Sequence, residues 1–209
     1  MKTFVFGLQR TATNYVHSLL WKNFGAFAKQ PSDSKEPQWK HNRNPEEAMM
    51  GVPKDSLVVV VAKDPVMWTD SLVRKPMDAH KIFEGGDEEP SVKMYAKKVP
   101  LSQVVEVWND YNLKWSKWHE ACSNISAVRH DTLLDDSKRG AWLDKIAEKY
   151  DLEYKGEKKF DNKETPLSRK FTKAVKDAYL NKETEHLNKD EEMYLMVNSD
   201  METYLNLYE

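Results

Sequence analysis

Apolar residues along this chain follow two different periods, and the two alternate. Residues 2–8 and Leu57–Ala62 are continuous apolar runs rich in β-branched and aromatic side chains, which is typical of buried strands. In Thr13–Phe24 the apolar positions recur every three or four residues, as on one face of a helix. The same two patterns predict one more strand and two more helices, at residues 125–128, 102–118 and 137–150. This alternation predicts a three-layer α/β/α domain with a central, mostly parallel sheet.

The remaining segments are less regular. Residues 38–41 are compatible with a short second strand, and a helix is expected to begin near Pro45. Residues 74–100 are charged and unpatterned, and they are too long for a simple connection. They predict either a loop that covers a substrate or a plain solvated insertion. From residue 167 to the end the pattern is mainly helical.

Length and charge narrow the classes of function. A chain of 209 residues predicts one domain, residues 1–209. Its 32 basic and 34 acidic residues leave a net charge of −2, so no nucleic-acid or membrane partner is expected and any anion site must be local. The single cysteine, Cys122, is expected to be a small core residue, and no metal-ligand spacing occurs. Without an apolar leader or a membrane span, the expected location is the cytoplasm.

The segment between the first strand and the first helix carries the clearest chemistry. It reads Gly7-Leu8-Gln9-Arg10-Thr11-Ala12-Thr13-Asn14-Tyr15. A strand, a turn and a hydroxyl-rich helix start together aim backbone N–H groups and the positive helix end at one point, which suits a phosphate or a sulfate. A Walker A loop would require G-x-x-x-x-G-K-[ST], so the lysine that grips a nucleoside triphosphate is absent. The alternative is an ordinary strand-to-helix turn capped by Thr11 or Thr13.

A second candidate segment follows the Val-rich strand. Lys63-Asp64-Pro65 comes directly after that strand, and Ser71 lies eight positions beyond Lys63. A cation at the carboxyl end of a central strand, beside a helix start, lies at the usual ligand edge of an open α/β sheet. Taken alone, Lys63 is also compatible with a solvated lysine at a strand end.

Together these segments resemble the PAPS-dependent sulfotransferases, where PAPS is 3′-phosphoadenosine-5′-phosphosulfate. The 5′-phosphosulfate loop of that family is G-x-P-[KR]-[ST]-G-T-T. The chain matches it at Gly7, Arg10, Thr11 and Thr13, places Asn14 in the final hydroxyl position, and departs from it at Gln9 and Ala12. The family's 3′-phosphate motif is R-[DN]-P with a serine eight positions on, and it is matched with lysine in place of arginine. The resemblance implies the sulfotransferase version of the P-loop NTPase-like fold.

The resemblance also implies roles for individual residues. Arg10 would help the 5′-phosphate to leave, and His41 in Trp39-Lys40-His41 would be the general base that deprotonates the acceptor. Lys40 would stabilise charge on the transferring group, whereas His17 and His130 are expected to be structural. The residues implied in binding the nucleotide are Gly7, Gln9, Arg10, Thr11, Ala12, Thr13, Asn14, Tyr15 at the adenine-stacking position, Lys63, Ser71, and Arg169 and Lys170 at the position of an R-K-G loop.

The implied activity is transfer of the sulfuryl group of PAPS to a hydroxyl or amine acceptor, without a metal. No motif specifies that acceptor, and small molecules, saccharides and peptides all stay open. Two alternatives stay open. A small P-loop kinase would need the missing lysine and usually a magnesium-holding acidic strand end, and a non-catalytic nucleotide-binding protein derived from the same fold would bind without turnover.

Overall fold

The computed structural model of the protein describes residues 1–26, 28–31, 33, 35–159 and 173–208. Its strands are β1 (Thr3–Gly7), β2 (Leu57–Ala62), β3 (Ser91–Met94), β4 (Lys97–Pro100) and β5 (Ile125–Arg129). Its helices are α1 (Thr13–Phe24), α2 (Pro45–Ala48), α3 (Pro65–Arg74), α4 (Leu101–Ala121), α5 (His130–Leu134), α6 (Asp136–Lys149), α7 (Lys173–Leu180), α8 (Lys189–Asn198) and α9 (Met201–Leu207), together with a 3-10 helix, Met77–Ile82.

The main sheet is parallel and has three strands in the order β1-β2-β5. The central strand β2 pairs with a neighbour on each side, and all six of its residues are buried. This explains its uninterrupted apolar sequence, since a central parallel strand meets apolar neighbours on both faces. The predicted strand, helix and central strand at the start of the chain are confirmed.

Alternate residues of the strands enter two separate apolar cores. Phe4, Phe6, Val58 and Val60 pack in one core with residues of α3, α4, α8 and α9. Val5, Val59 and Val61 pack in the other with residues of α1 and α6. Because successive side chains of a strand point to opposite faces, these two cores lie on the two sides of the sheet. The α/β class is therefore confirmed, with helices on both faces.

Residues 38–41 do not form the short strand that the sequence predicts. They are turns, although the Gly7 amide donates to the Lys40 carbonyl at 3.0 Å, so this segment lies along the outer edge of β1. A single backbone hydrogen bond does not make a ladder. Covering an edge strand with a loop in this way protects it from pairing with another chain.

Residues 74–100 are more ordered than the sequence predicts. They contain the 3-10 helix and an antiparallel hairpin, in which β3 pairs with β4. Val92, Met94 and Val99 of this hairpin are buried in the core that also contains α3 and α4. The segment is thus partly a structural element. Its two four-residue strands are too short for their alternation to be recognised among so many charged residues.

A candidate site for two anions

The two motifs that the sequence singled out meet at one edge of the sheet. Gly7, the last residue of β1, is in register with Val61 near the end of β2. The strands are parallel, so the loop after Gly7 and the lysine after β2 both leave the sheet at its carboxyl edge. This is the edge at which open α/β sheets bind ligands. Only the strand order β1-β2 makes the two segments neighbours.

Gly7 allows the loop to lie very close to the sheet. A Cβ atom on this residue would come within 2.8 Å of the Val61 carbonyl oxygen and would overlap the Thr11 hydroxyl. The Thr11 hydroxyl donates to the Leu8 carbonyl at 2.7 Å and closes the turn. Glycine is therefore required here by the close approach of a neighbouring backbone.

Two residues of the loop adopt left-handed backbone conformations although neither is glycine. Arg10 and Ala12 both have φ of 72°. Ala12, which stands where the sulfotransferase loop has glycine, thus retains the conformation that glycine favours. It is also the N-cap of α1, and it makes no capping hydrogen bond with a side chain. The first turn of α1 has no acidic residue, so the positive helix end is not neutralised locally.

Helix α3 contacts the loop between β1 and α1. The Trp68 Nε1–H donates to the carbonyl of Gln9 at 2.8 Å, and both residues are buried. Helix α3 begins directly after Lys63, and the Asp64 carboxylate caps it by accepting from the amides of Val66 and Met67. The sequence Lys63-Asp64-Pro65 therefore positions a cation, starts a helix and brings Trp68 onto the first loop.

Lys63 and Ser71 are in contact, as the predicted spacing requires. The Lys63 Nζ donates to the Ser71 Oγ at 2.5 Å, and Lys63 is only 2% exposed. Burial is the main influence on the pKa of Lys63 and lowers it to about 8, against the opposing effect of Tyr179. The positive charges of Arg10 and Arg74 act in the same direction as burial.

Sequence reasoning missed two members of this site, Tyr179 of α7 and Arg74 of α3. The Tyr179 hydroxyl lies 3.0 Å from the Ser71 Oγ. The Arg74 Nη2 donates to the same Tyr179 hydroxyl at 3.4 Å. The Lys63 Nζ lies 4.1 Å from the centre of the Tyr179 ring. Arg74 follows Ser71 by three positions, so helical spacing already places it on the same face. No local sequence pattern indicates Tyr179, which lies more than a hundred residues after Ser71 in the chain.

The titration of Tyr179 reflects this positive surrounding. Burial raises the pKa of the phenol, and the charge of Lys63 and the hydrogen bond with Ser71 oppose this effect. Hydrogen bonding to Lys63 and the charge of Arg74 act in the same direction, and the pKa of Tyr179 falls to about 8. The phenol oxygen therefore lies in a setting that favours negative charge.

His41 lies against the end of β1. Its Nδ1 is 2.7 Å from the Gly7 carbonyl oxygen. A carbonyl oxygen can only accept, so Nδ1 carries the proton and the basic lone pair is on Nε2. The Lys40 Nζ donates to the Asn14 Oδ1 at 2.6 Å, and burial lowers the pKa of Lys40. Residues 40 and 41 thus contact the segment between β1 and α1.

The other predicted residues have varied placements. Tyr15 is 3% exposed and packs in the core on the α1 side of the sheet, so in this structure its ring contributes to packing. His17 and His130 are mostly buried, and burial lowers the pKa of each. Cys122 is partly buried and packs against the core that contains residues of α3, α4, α8 and α9. Arg169 and Lys170 lie outside the described residues.

No family model matches this chain, and neither a curated protein nor a solved structure matches it. In the described part of the chain, no helix is long and apolar enough to cross a membrane. The same residues contain no group of three or more His, Cys, Asp or Glu side chains arranged to hold a metal ion. What the protein does is therefore inferred from the geometry of the carboxyl edge of the sheet.

Proposed function

We propose that this protein is a sulfotransferase that moves the sulfuryl group of PAPS to a hydroxyl or amine acceptor. The observation that carries the proposal is that two candidate anion-binding points lie at one edge of the sheet. The loop with Arg10 is one point, and the Lys63–Ser71 pair is the other. A nucleotide with phosphates on both its 5′ and 3′ oxygens needs two such points, whereas the phosphates of ATP form one continuous chain.

The residues of the second point fit a phosphate. Lys63 is buried, and among the described residues the charged groups that shift its pKa are two arginines and a phenol, with no carboxylate. A buried cation without a carboxylate is unfavourable unless an anion joins it. A phosphate between Lys63 and Ser71 would be that anion. The tight turn after Gly7 would bind the 5′-phosphosulfate in the same way.

When bound, PAPS supplies an activated sulfuryl group on its 5′-phosphate. Backbone amides of the loop and the N-terminus of α1 would bind the 5′-phosphate, and Arg10 would stabilise negative charge as it develops there. Lys63 and Ser71 would hold the 3′-phosphate. His41 would accept the acceptor's proton at Nε2, and a placed general base typically contributes about 10²–10⁴ in rate.

One contact favours a second candidate function, binding of a nucleoside triphosphate. Thr13 stands at the position of the Walker lysine. However, the Lys40 ammonium reaches Asn14 in the first turn of α1, so a different segment brings a cation to this part of the loop. A P-loop kinase that uses Lys40 in this way would bind ATP with magnesium.

Isothermal titration calorimetry distinguishes the two. Adenosine 3′,5′-bisphosphate and ATP with magnesium are titrated into the parent protein, Arg10→Ala and Lys63→Ala. We expect the bisphosphate to bind and each substitution to weaken it by about 10-fold or more, because hydrogen bonds to charged groups are the strong ones. Lys117→Ala is the matched control. It removes a charge from an exposed site near the end of α4 that leads into β5, at the opposite edge of the sheet.

The outcomes separate the proposals. If ATP binds and the bisphosphate does not, the sulfotransferase proposal is wrong and the kinase gains support.

If the bisphosphate binds, turnover is measured as its release from PAPS across a panel of hydroxyl and amine acceptors. His41→Gln should lower kcat by about 10²-fold or more while bisphosphate affinity stays unchanged. Tight bisphosphate binding without turnover on any acceptor would favour the non-catalytic nucleotide-binding protein.

A further inference from the structure

The second anion point already contains an oxygen atom, the hydroxyl of Tyr179. This side chain comes from α7, whereas Lys63 follows β2 and Ser71 and Arg74 belong to α3. The hydroxyl is 3.0 Å from the Ser71 Oγ and 3.4 Å from the Arg74 Nη2, and the Lys63 Nζ lies 4.1 Å from the centre of the same ring. Ser71 and Arg74 thus contact the phenol oxygen, and the Lys63 ammonium lies over the ring.

A neutral phenol does not need such a surrounding. Two of the three side chains around the phenol, Lys63 and Arg74, are cations, and the charged groups that shift the pKa of Tyr179 include no carboxylate among the residues that the structure describes. A cluster of cationic donors around an oxygen is the arrangement that binds an anionic oxygen such as that of a phosphate. A phenol oxygen carries less negative charge than a phosphate oxygen, so it satisfies such a cluster less well than a phosphate would.

Arg74 also supplies what Lys63 lacks. A lysine ammonium is a point charge, whereas a guanidinium is a planar fork that matches two phosphate oxygens at once. Arg74 lies at the end of α3, one turn after Ser71, and its guanidinium reaches the same oxygen as Ser71 does. The strand-end lysine and the helix-end arginine together provide both the charge and the fork.

We propose that the Tyr179 hydroxyl occupies the place of a phosphate oxygen in the 3′-phosphate subsite, that the nucleotide displaces it, and that Arg74 then binds the phosphate. This inference rests on the proposed function, since it concerns the same site. It adds two residues to the subsite, and it predicts that Tyr179 competes with the nucleotide. A binding-competent state that is only partly populated reduces the apparent affinity by its population.

The test compares two nucleotides that differ only in the 3′-phosphate, adenosine 3′,5′-bisphosphate and adenosine 5′-monophosphate. Calorimetry is carried out on the parent, Tyr179→Phe and Arg74→Gln. Tyr179→Phe keeps the ring over Lys63 and removes the competing hydroxyl, so we expect bisphosphate to bind roughly 3-fold or more tightly. Arg74→Gln should weaken the bisphosphate by about 10-fold or more. Monophosphate affinity should change by less than about 2-fold in both variants, because no 3′-phosphate is present.

Lys117→Gln is the matched control for the loss of one positive charge, and thermal unfolding of each variant verifies that it is folded. The inference is wrong if Tyr179→Phe weakens bisphosphate binding, since the hydroxyl would then be a ligand and not a competitor. It is also wrong if Arg74→Gln weakens both nucleotides equally. In either case the parent still binds bisphosphate and the proposed function stands. If the parent binds neither nucleotide, the proposed function and this inference are both wrong.

Discussion

Ala12 and Arg10 hold the backbone of the first loop in a region that costs a residue with a Cβ atom roughly 1–2 kcal/mol each. Such strain persists only where the surrounding structure over-determines the conformation, and it is concentrated at functional sites. Here the surroundings are Gly7 packed on the Val61 carbonyl and the Trp68 indole bonded to the Gln9 carbonyl. Contacts with β2 and α3 therefore impose the conformation of the loop, together with the hydrogen bond from Thr11 to Leu8.

Relief of this strain is measurable at Ala12. Ala12→Gly should raise the free energy of unfolding by about 1 kcal/mol, because glycine adopts positive φ without a steric penalty, although it also makes the unfolded chain more flexible. Urea denaturation measures the change. The matched control is Ala141→Gly at an exposed interior position of α6, where the same substitution should lower the free energy of unfolding by about 1 kcal/mol. A loss of stability in Ala12→Gly would contradict this account of the loop.

Among the elements, the free edge of β1 is covered by side chains and turns instead of a strand. The Gln30 Oε1 accepts from the Val5 amide at 2.9 Å and lies 2.7 Å from the His17 Nε2. The Gln30 Nε2 donates to the Gln38 carbonyl at 3.0 Å. Since Gln30 Oε1 can only accept, His17 donates to it from Nε2. One glutamine thus connects β1, α1 and the turn before Lys40.

His17 makes this connection sensitive to acid. Burial, and to a smaller extent the charge of Lys40, lowers the pKa of His17 to about 4, although the hydrogen bond to Gln30 opposes the shift. The unfolded chain binds the proton near pH 6.5 and the folded chain only near pH 4, so the free energy of unfolding decreases as pH falls between these values. The share of His17 in this decrease is up to about 3 kcal/mol.

Urea unfolding at pH 7.5 and at pH 4.5 measures that share in the parent and in His17→Gln, which retains a donor for Gln30. We expect the parent to lose more stability than the variant on acidification, by about 2–3 kcal/mol. His130 and the carboxylates titrate in both proteins, so their contributions cancel in the comparison. Equal losses in the two proteins would show that His17 is not buried as described.

For the whole molecule, the candidate site joins segments that are far apart in the chain. The first loop follows β1, Lys63 follows β2, Arg74 ends α3 and Tyr179 lies in α7. A ligand that contacts all of them would connect the carboxyl edge of the sheet to helices on both of its sides. Because such a ligand binds the folded chain and not the unfolded one, it should stabilise the entire domain.

Thermal unfolding at increasing nucleotide concentrations tests this coupling. A ligand at 100 times its Kd stabilises a protein by about 2.7 kcal/mol, which for a domain of this size is a rise in Tm of roughly 5–10 °C. We expect adenosine 3′,5′-bisphosphate to raise the Tm of the parent, and to raise that of Lys63→Ala less at the same concentration. An equal rise for adenosine 5′-monophosphate and the bisphosphate would contradict a site with two anion points.

The elements that the sequence predicts well are those with a strong local period. Helix α1 has the predicted bounds, and β2 has the length of its apolar run, because burial on one face or on two imposes the pattern directly. The hairpin of β3 and β4 was missed because its strands have four residues each. Residues 38–41 were predicted as a strand, but their contact with β1 is made by one backbone bond and by side chains.

The sequence by itself determined which short segments carry the chemistry, because a turn, a helix start and a strand-end cation depend on residues close together in the chain. It also determined the eight-residue spacing that puts Lys63 just before helix α3 and Ser71 within that helix. Only the tertiary structure decided that the two motifs share an edge, that His41 lies on the Gly7 carbonyl, and that Tyr179 enters the Lys63–Ser71 pair. These contacts depend on strand order and helix packing, which no local pattern records.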